Sequence, residues 1–578
     1  MSTTTTTATT STVTIVHTKE RLSGIVQAVG RRNNDVPRRW WESFLVFAFF
    51  TVAYTWFGHW VVVDMHVVGF ETLDRLNRAL MVWHNEPAKL SAIGFDYPPL
   101  ATLLIAPLAV FRGFVTSMAV VPVASAIFAA FTMVAFNTMM RRALVSGPLR
   151  YAVLLALGAN PLVLLYATTG TRHFVWIAFL ATGLGALFAW YITADVRFVM
   201  LAGIAYAFAA LAGYSSLTFF VLSAIMVGAI LARLGADGTE VEGTVVGFGA
   251  PTVYVIALWT LFNLVLLGRP FAWITRSSDA AASGGLDQFS GVELLRATGE
   301  LVLYGAPIAI VVLPALIFAG FARGNPFALW LGVLLGAAIL TPAMAIVLRL
   351  TDSPMLMRNA LPILLLSMVG AIWLARSADE GSTLVAALIV VGLVISIPWT
   401  LQQMKTYRYQ NLEAPFAAAL TTGESQEGAE TLNNEKVGVE SELAMARYIR
   451  NNITRDSSIL TDNAQTYAVM MLTGHPEYFF DRVDQSDGPW KVAARNPAEY
   501  VDYMLLPTSD NGDLLYKLYP EAAAGSDPRL QVVYRTPRYV LVGVPGNYRP
   551  ADAQTNTTTN STTNSTTSLT VDEGGDGS

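Results

Sequence analysis

The sequence predicts a mainly α, polytopic membrane helical bundle, followed by a small α/β domain. Three observations predict it. Of the 578 residues, 53% are hydrophobic and only 14% are charged, where a soluble chain of this size carries about 25% charge. The mean hydropathy is +0.46. Apolar runs of about 20 residues, the length that crosses the hydrocarbon of a bilayer, recur as far as residue 401 and then stop. The net charge of −5 gives no basic field for nucleic acid. The chain has no cysteine, which excludes disulfides, thiolate metal sites and cysteine nucleophiles.

Residues 1–39 begin MSTTTTTATTSTVTIV. No basic segment leads directly into an apolar core, so this is not a secretory signal; it reads as a disordered cytoplasmic N-terminus. Residues 40–401 form the membrane module. Spans are expected over 43–63, 116–140, 151–169, 174–192, 198–213, 217–233, 250–267, 300–320, 327–348, 359–375 and 383–401, about eleven in all. Several contain Gly or Pro, which membrane helices tolerate when packed against neighbours.

The segment 98–111, PPLATLLIAPLAVF, is too short to be a clear span. Its side of the membrane follows from charge. Arg31, Arg32, Arg38 and Arg39 before the first span place the N-terminus in the cytoplasm. If 98–111 crossed, Arg141, Arg142 and Arg150 would move outside, out of step with Arg197, Arg233, Arg323 and Arg376. It is therefore expected to be a helix lying on the outer surface, with its prolines at the start and Asp96 placed to cap it. Two long outer loops follow, 64–115 and 268–299, and the C-terminus lies outside.

The chain changes character at Gln402. Residues 402–440 read as a linker and 441–548 as an extracytoplasmic α/β domain. In that domain SELAMARYIRNN is an amphipathic helix, SSILTD a short buried strand, and AQTYAVMMLTG a helix ending at Gly474. VDYMLLP is a further strand, and LQVVYRTPRYVLVGV a hairpin. The tail, 549–578, is Thr- and Asn-rich and reads as disordered. Asn556, Asn560 and Asn564 each begin an N-x-S/T triplet; a polar spacer is the plainer account of them. No P-loop, dinucleotide fingerprint or internal repeat is present.

Residues able to carry chemistry gather in the first outer loop and two later turns. Phe70, Leu73, Leu76, Leu80 and Trp83 form an apolar stripe suited to a membrane surface or a partner helix. Glu71, Arg75 and Arg78 read as its solvated face. Asp64 follows the first span directly. It is either an ordinary interfacial acid or a carboxylate at the mouth of an apolar cavity, able to act as a general base. Arg172 and His173 occupy a short outer turn, and Arg349 and Arg358 flank another, TDSPMLMRNALP. An outer-leaflet arginine can snorkel to lipid phosphate or bind the phosphate of a lipid-linked donor. His66 with Asp64 or His84 would be the only place for a divalent metal. No HExxH, His-rich run or acidic pair supports one, and no cofactor is assigned. There is also no Gly-x-Ser-x-Gly nucleophile.

Taken together, the pattern resembles a known family. One span from a cytoplasmic N-terminus is followed at once by Asp64. A long outer loop ends in DYPPLATLLIAPL, and an Arg-Arg pair marks the return. Much later Arg358 precedes a Pro-containing span, RNALPILLLSMVGAIW, and an external α/β domain follows. This resembles the GT-C superfamily of membrane glycosyltransferases, which includes polyprenyl-phosphate-mannose-dependent mannosyltransferases. The resemblance implies a plasma-membrane enzyme taking a sugar from a polyprenyl phosphate donor to a hydroxyl of a glycan, lipid or protein acceptor on the outer side, with inversion. It implies Asp64 as the base and Asp96 and Tyr97 as walls of the cavity. It also implies Arg358 near the donor phosphate. Arg172, His173 and His66 join as substrate-binding residues. Met65 stands where many relatives carry a second acid. Two other classes remain open on sequence: a transporter or flippase for lipid-linked saccharide, and a non-catalytic membrane scaffold.

Overall fold

The computed structural model describes residues 39–545, except 89, 95–97, 275–289, 351–354, 379–380, 430–436, 455–457, 483–487 and 510–511. The chain divides into two compact units. One is Met1–Glu440 with Met470–Pro476; the other is Ser441–Val469 with Glu477–Ser578.

The first unit is a helical membrane module. Helix α1 (Trp40–His59) continues into one π turn, Trp60–Asp64. Trp40 and Trp56 are each 78% exposed. They lie about 24 Å apart along the axis, as aromatic anchors do at the two membrane interfaces. Three short helices then fill the loop: α2 (Phe70–His84), α3 (Leu100–Ile105) and α4 (Arg112–Thr116). Helix α5 (Val120–Arg142) runs back along α1. The direction is set by a buried polar knot. Glu42, in the first turn of α1, takes Arg150 at 2.6 Å and Asn137 at 3.2 Å, with Arg141 at 3.9 Å. The loop between α1 and α5 therefore leaves and re-enters one end of the bundle, and 98–111 does not cross.

Nor is 98–111 the single surface helix expected. It breaks into α3 and a 3-10 turn, Leu108–Val110, because Pro107 has no N–H to continue a helical ladder. Asp96, the expected cap, lies outside the described residues, and no side chain caps α3.

The expected span 151–169 is a bent pair, α6 (Gly147–Gly158) and α7 (Pro161–Thr168), meeting at 70°. Pro161 starts the second helix, and the Asn160 side chain caps it by accepting the Leu162 N–H at 3.0 Å. Helices α8 (His173–Thr193), α9 (Arg197–Ala212), α10 (Ser216–Arg233) and α11 (Gly238–Leu267) follow. Gly203 lets α9 and α11 meet backbone to backbone: a Cβ there would lie 2.2 Å from the Phe248 carbonyl oxygen, a close approach typical of small residues between membrane helices.

The expected span 300–320 is likewise not one rod. Helices α12 (Gly291–Gly305) and α13 (Ala309–Ala322) meet at 99°, where Ala306 and Pro307 interrupt the ladder. The module closes with α14 (Pro326–Val347), α15 (Ala360–Ser377) and α16 (Ser382–Met404). Among the described residues eight helices are long and apolar enough to cross, with two bent pairs and the shorter α9 besides. This is a multi-pass membrane protein.

Part of 402–440, expected as a linker, belongs to this module's core. Helix α17 (Glu413–Thr422) buries Glu413, Phe416, Ala417 and Ala419. The polar run after it, GESQEGAETLNNEK, dominates the composition and masks the apolar FAAAL.

The second unit is built on a five-stranded sheet in the order β2-β1-β3-β5-β4. Its strands are β1 (Ile459–Leu460), β2 (Phe479–Phe480), β3 (Tyr503–Pro507), β4 (Gln531–Arg535) and β5 (Tyr539–Gly543). β1 pairs in parallel with β2 and β3, and the rest is antiparallel. Strands β3 and β5 are buried along their length and β4 forms a more exposed edge. The α/β character, the hairpin and strands β1 and β3 match the sequence reading. Strand β2, two residues long, was not foreseen.

Candidate functional site

One residue of the first loop gathers charge from three separate parts of the chain. Helix α2 forms because Leu73, Leu76 and Leu80 recur at helical spacing, and all three are fully buried. That burial carries its polar flank inward. Arg75, expected on a solvated face, is only 8% exposed. Its Nη2 donates to Glu71 Oε1 at 2.5 Å. Arg172 Nε lies 3.5 Å from the same oxygen, and Arg358 Nη1 donates to Glu71 Oε2 at 3.0 Å.

The two distant partners are each delivered by a helix end. Arg172 stands immediately before α8, and Arg358 lies in a 3-10 turn (Met357–Asn359) leading into α15. The turn carrying Arg172 is pressed against α2. Thr72 Oγ1 donates to the Thr169 carbonyl at 3.0 Å, and Gly170 N donates to Ser125 Oγ at 3.1 Å. Gly170 has φ +71°, and a Cβ there would lie 2.7 Å from Thr72 Cγ2 and 2.8 Å from Val121 Cγ1. Both the conformation and the space require glycine.

Behind this layer is a second. The Tyr166 hydroxyl donates to Glu413 Oε1 at 2.5 Å, and Asn411 N donates to Glu413 Oε2 at 2.7 Å. The His173 ring rests against Tyr166, centroids 5.4 Å apart. Two nitrogens in the cluster are buried without any partner among the described residues: Arg75 Nη1 and His173 Nδ1. Leaving such groups unpaired costs about 1–3 kcal/mol each, which an incoming anion would offset.

Burial pushes the Glu71 carboxyl up, but the guanidiniums of Arg75, Arg172 and Arg358 overcome it and hold the carboxyl well below the usual carboxylate range. Burial pulls the Arg172 guanidinium down to about 10 against the opposing pull of Glu71, which still leaves it charged at neutral pH. Arg75 and Arg172 also line a small recess whose other walls are mostly apolar, among them Leu104, Leu108, Phe128 and Val175. Guanidiniums beside an apolar surface suit an anionic head carried on an apolar group.

Of the residues singled out in the sequence, Arg172, His173 and Arg358 are brought together. Asp64 is not among their contacts. It ends the π turn, exposed, with no hydrogen bond or ion pair among the described residues. His66 turns away in a left-handed conformation, φ 58°. Its Nδ1 meets Ser425 Oγ at 3.0 Å and Glu427 Oε2 at 3.4 Å, and the neighbouring Met65 carbonyl accepts Gln426 N at 2.9 Å. This clamp fixes the chain just after Asp64 and holds His66 apart from the Arg75, Arg172 and Arg358 contacts. His84 is engaged by the carbonyls of Ala109 and Val110. Among the described residues no group of three His, Asp or Glu is arranged to hold a metal. Asp96 and Tyr97 lie outside the described residues. Glu71, Arg75, Tyr166 and Glu413 were missed. The one signal for them in the sequence is their position within a few residues of helix ends on one side of the bundle.

No protein-family model and no curated protein matches the chain. Solved structures do. ArnT from Cupriavidus metallidurans bound to undecaprenyl phosphate is similar over 87% of this chain and 99% of its own, with 16% identity and a TM-score of 0.52. Its apo state covers the same shares at 14% identity and a TM-score of 0.41. The Archaeoglobus fulgidus oligosaccharyltransferase in its apo form is similar over 82% of this chain and 70% of its own, at 11% identity and a TM-score of 0.44. The first of these agrees with the helical bundle and small C-terminal sheet described above. The chain shares the fold of that ArnT structure.

Proposed function

We propose that this protein is a membrane glycosyltransferase that moves a sugar from a polyprenyl phosphate donor to a hydroxyl acceptor on the extracytoplasmic side. The observation that carries the reading is the set of three guanidiniums around Glu71, with Arg75 Nη1 and His173 Nδ1 unpartnered among the described residues, beside a small, mostly apolar recess. A phosphate carried on a hydrocarbon chain suits a cationic cluster set in a membrane module. The fold supports it, since the similar ArnT structure has undecaprenyl phosphate bound. The Arg-rich knot around Glu42 at the opposite end of the bundle supports a cytoplasmic N-terminus. On that orientation the helix order has the anion site, and the start of the C-terminal domain, on the outer side.

In the reaction the acceptor oxygen forms a bond to the anomeric carbon as the bond from that carbon to the phosphate oxygen breaks, inverting the centre. The electron pair goes to the phosphate, where Arg75, Arg172 and Arg358 stabilise the growing charge. Asp64 takes the acceptor proton. Glu71 is unsuited to that step, because its guanidinium partners keep it a weak base. The test is transfer from a polyprenyl-phosphate-linked sugar by the purified full chain in proteoliposomes. Asp64→Asn is expected to abolish transfer while leaving thermal unfolding and lipid-phosphate binding unchanged. Uphill exchange of the lipid-linked sugar across the bilayer without transfer would instead identify a transporter.

A further inference from the structure

We propose that Glu71 is a displaceable internal counter-anion that sets which phosphate the site retains: the singly charged diester of the donor, in preference to the doubly charged monoester left after transfer. This rests on the function proposed above and concerns the same site.

Among the described residues, Glu71 is the one carboxylate within ion-pair distance of Arg75, Arg172 and Arg358. Both its oxygens are used, so it occupies the positions that two phosphate oxygens would take. It is also the accessible member of the set. Its side chain is 37% exposed against 9% for Arg75, 16% for Arg358 and 26% for Arg172. Of the four groups the carboxylate is the one with the most room to give way. A phosphate that replaces it meets the same three cations and in addition Arg75 Nη1 and His173 Nδ1, which Glu71 leaves unused. The exchange trades one anion for another and leaves no buried guanidinium bare, avoiding the large cost of an uncompensated charge.

Charge decides the preference. Glu413 stands a layer behind, held by Tyr166 and Asn411. Three guanidiniums against the carboxylates of Glu71 and Glu413 leave a single positive charge. A phosphodiester neutralises it. The second charge of a monoester exceeds it, and Glu71, displaced but tethered to α2, repels that charge. The product therefore leaves more readily than it would from a site of arginines alone, at a smaller loss of donor binding.

The test is direct binding to the purified full chain in detergent, with farnesyl phosphate as the monoester and methyl farnesyl phosphate as the diester. Wild type is expected to bind the diester at least as tightly as the monoester. Glu71→Gln removes the competing charge and is expected to tighten the monoester about tenfold and the diester by less. In turnover it lowers kcat and KM together and makes farnesyl phosphate a stronger inhibitor. Glu71→Asp keeps the charge but shortens its reach. It is expected to tighten the monoester about threefold, and it carries the test if the Gln variant does not fold. Monoester affinity unchanged or weakened in the folded variants would overturn the inference and make Glu71 a scaffold for the arginines. A wild-type chain that binds neither ester would overturn the proposed function itself.

Discussion

Removing Arg358 should weaken the anion site without unfolding the protein. Its guanidinium lies 3.0 Å from Glu71 with 16% of the side chain exposed. A phosphate taking the carboxylate's place would sit about 4 Å from its charge centre, worth roughly 4 kcal/mol at an effective dielectric of about 20. Part of this is returned, because Arg358 also repels Arg75 and Arg172, and its partial exposure screens it. About 2–3 kcal/mol remains, a loss of roughly 30- to 150-fold in affinity. Glu71 keeps Arg75 and Arg172 as partners, so no buried charge is stranded and the melting temperature should move by no more than a few degrees. Arg358→Lys keeps the charge but not the planar fork, and should lose about tenfold. The assay is farnesyl phosphate binding to the full chain in detergent, with thermal unfolding alongside. Less than a threefold change for Arg358→Ala in a folded protein would refute the placing of phosphate at this cluster.

Two further outcomes follow from particular contacts. Gly170→Ala must adopt φ +71° and bring a Cβ within 2.7 Å of Thr72 Cγ2. It should cost about 1–3 kcal/mol and reduce anion binding by displacing Arg172, with the helical circular dichroism unchanged; intact binding would show that the turn can yield. In the second unit, burial pushes the Asp513 carboxyl up to about 7, with nearby Asp462 adding repulsion. The folded form thus keeps a proton that the unfolded chain releases near pH 4. Its stabilising contribution is complete below about pH 4 and lost as pH rises through 7. Amide exchange in the sheet peptides, corrected for intrinsic rate, should be faster at pH 8 than at pH 6. Asp513→Asn, which keeps an oxygen for the Tyr516 N–H at 2.9 Å, should flatten that difference.

What could be read from the sequence and what could not divides by the range of the interaction. The membrane helices are local: twenty apolar residues report themselves. The bends within 151–169 and 300–320 are local too, because Pro161 and Pro307 were visible and were treated as tolerated rather than as breaks. The anion site is not local. Glu71 and Arg75, four residues apart, look like any solvated helix pair. They become something else only when Arg172 and Arg358 arrive from 101 and 287 residues away, and when Glu413 reaches Tyr166 across 247 residues. Periodicity within one helix carries no trace of that.

A rule that reaches further is available from topology alone. Once the Arg141 cluster is placed opposite the first loop, alternation puts Glu71, Arg172, Arg358 and Glu413 at one end of the bundle, each near a helix terminus. Charges that are rare in an apolar chain and fall repeatedly at one end have few partners but each other. Applied to this chain, the rule selects Glu71 as well as Asp64, and their surroundings then separate the two roles. In the function proposed above, the acid ringed by guanidiniums, held ionised, serves the phosphate site. The acid with no guanidinium among the described residues is there assigned the acceptor proton. Removing one of them tests this division. Transfer lost in Asp64→Asn is not expected to be rescued by Glu71 however the pH is raised, because Glu71 is already ionised and already paired with three guanidiniums. Recovery of transfer at high pH in that background would mean that the two acids share one function.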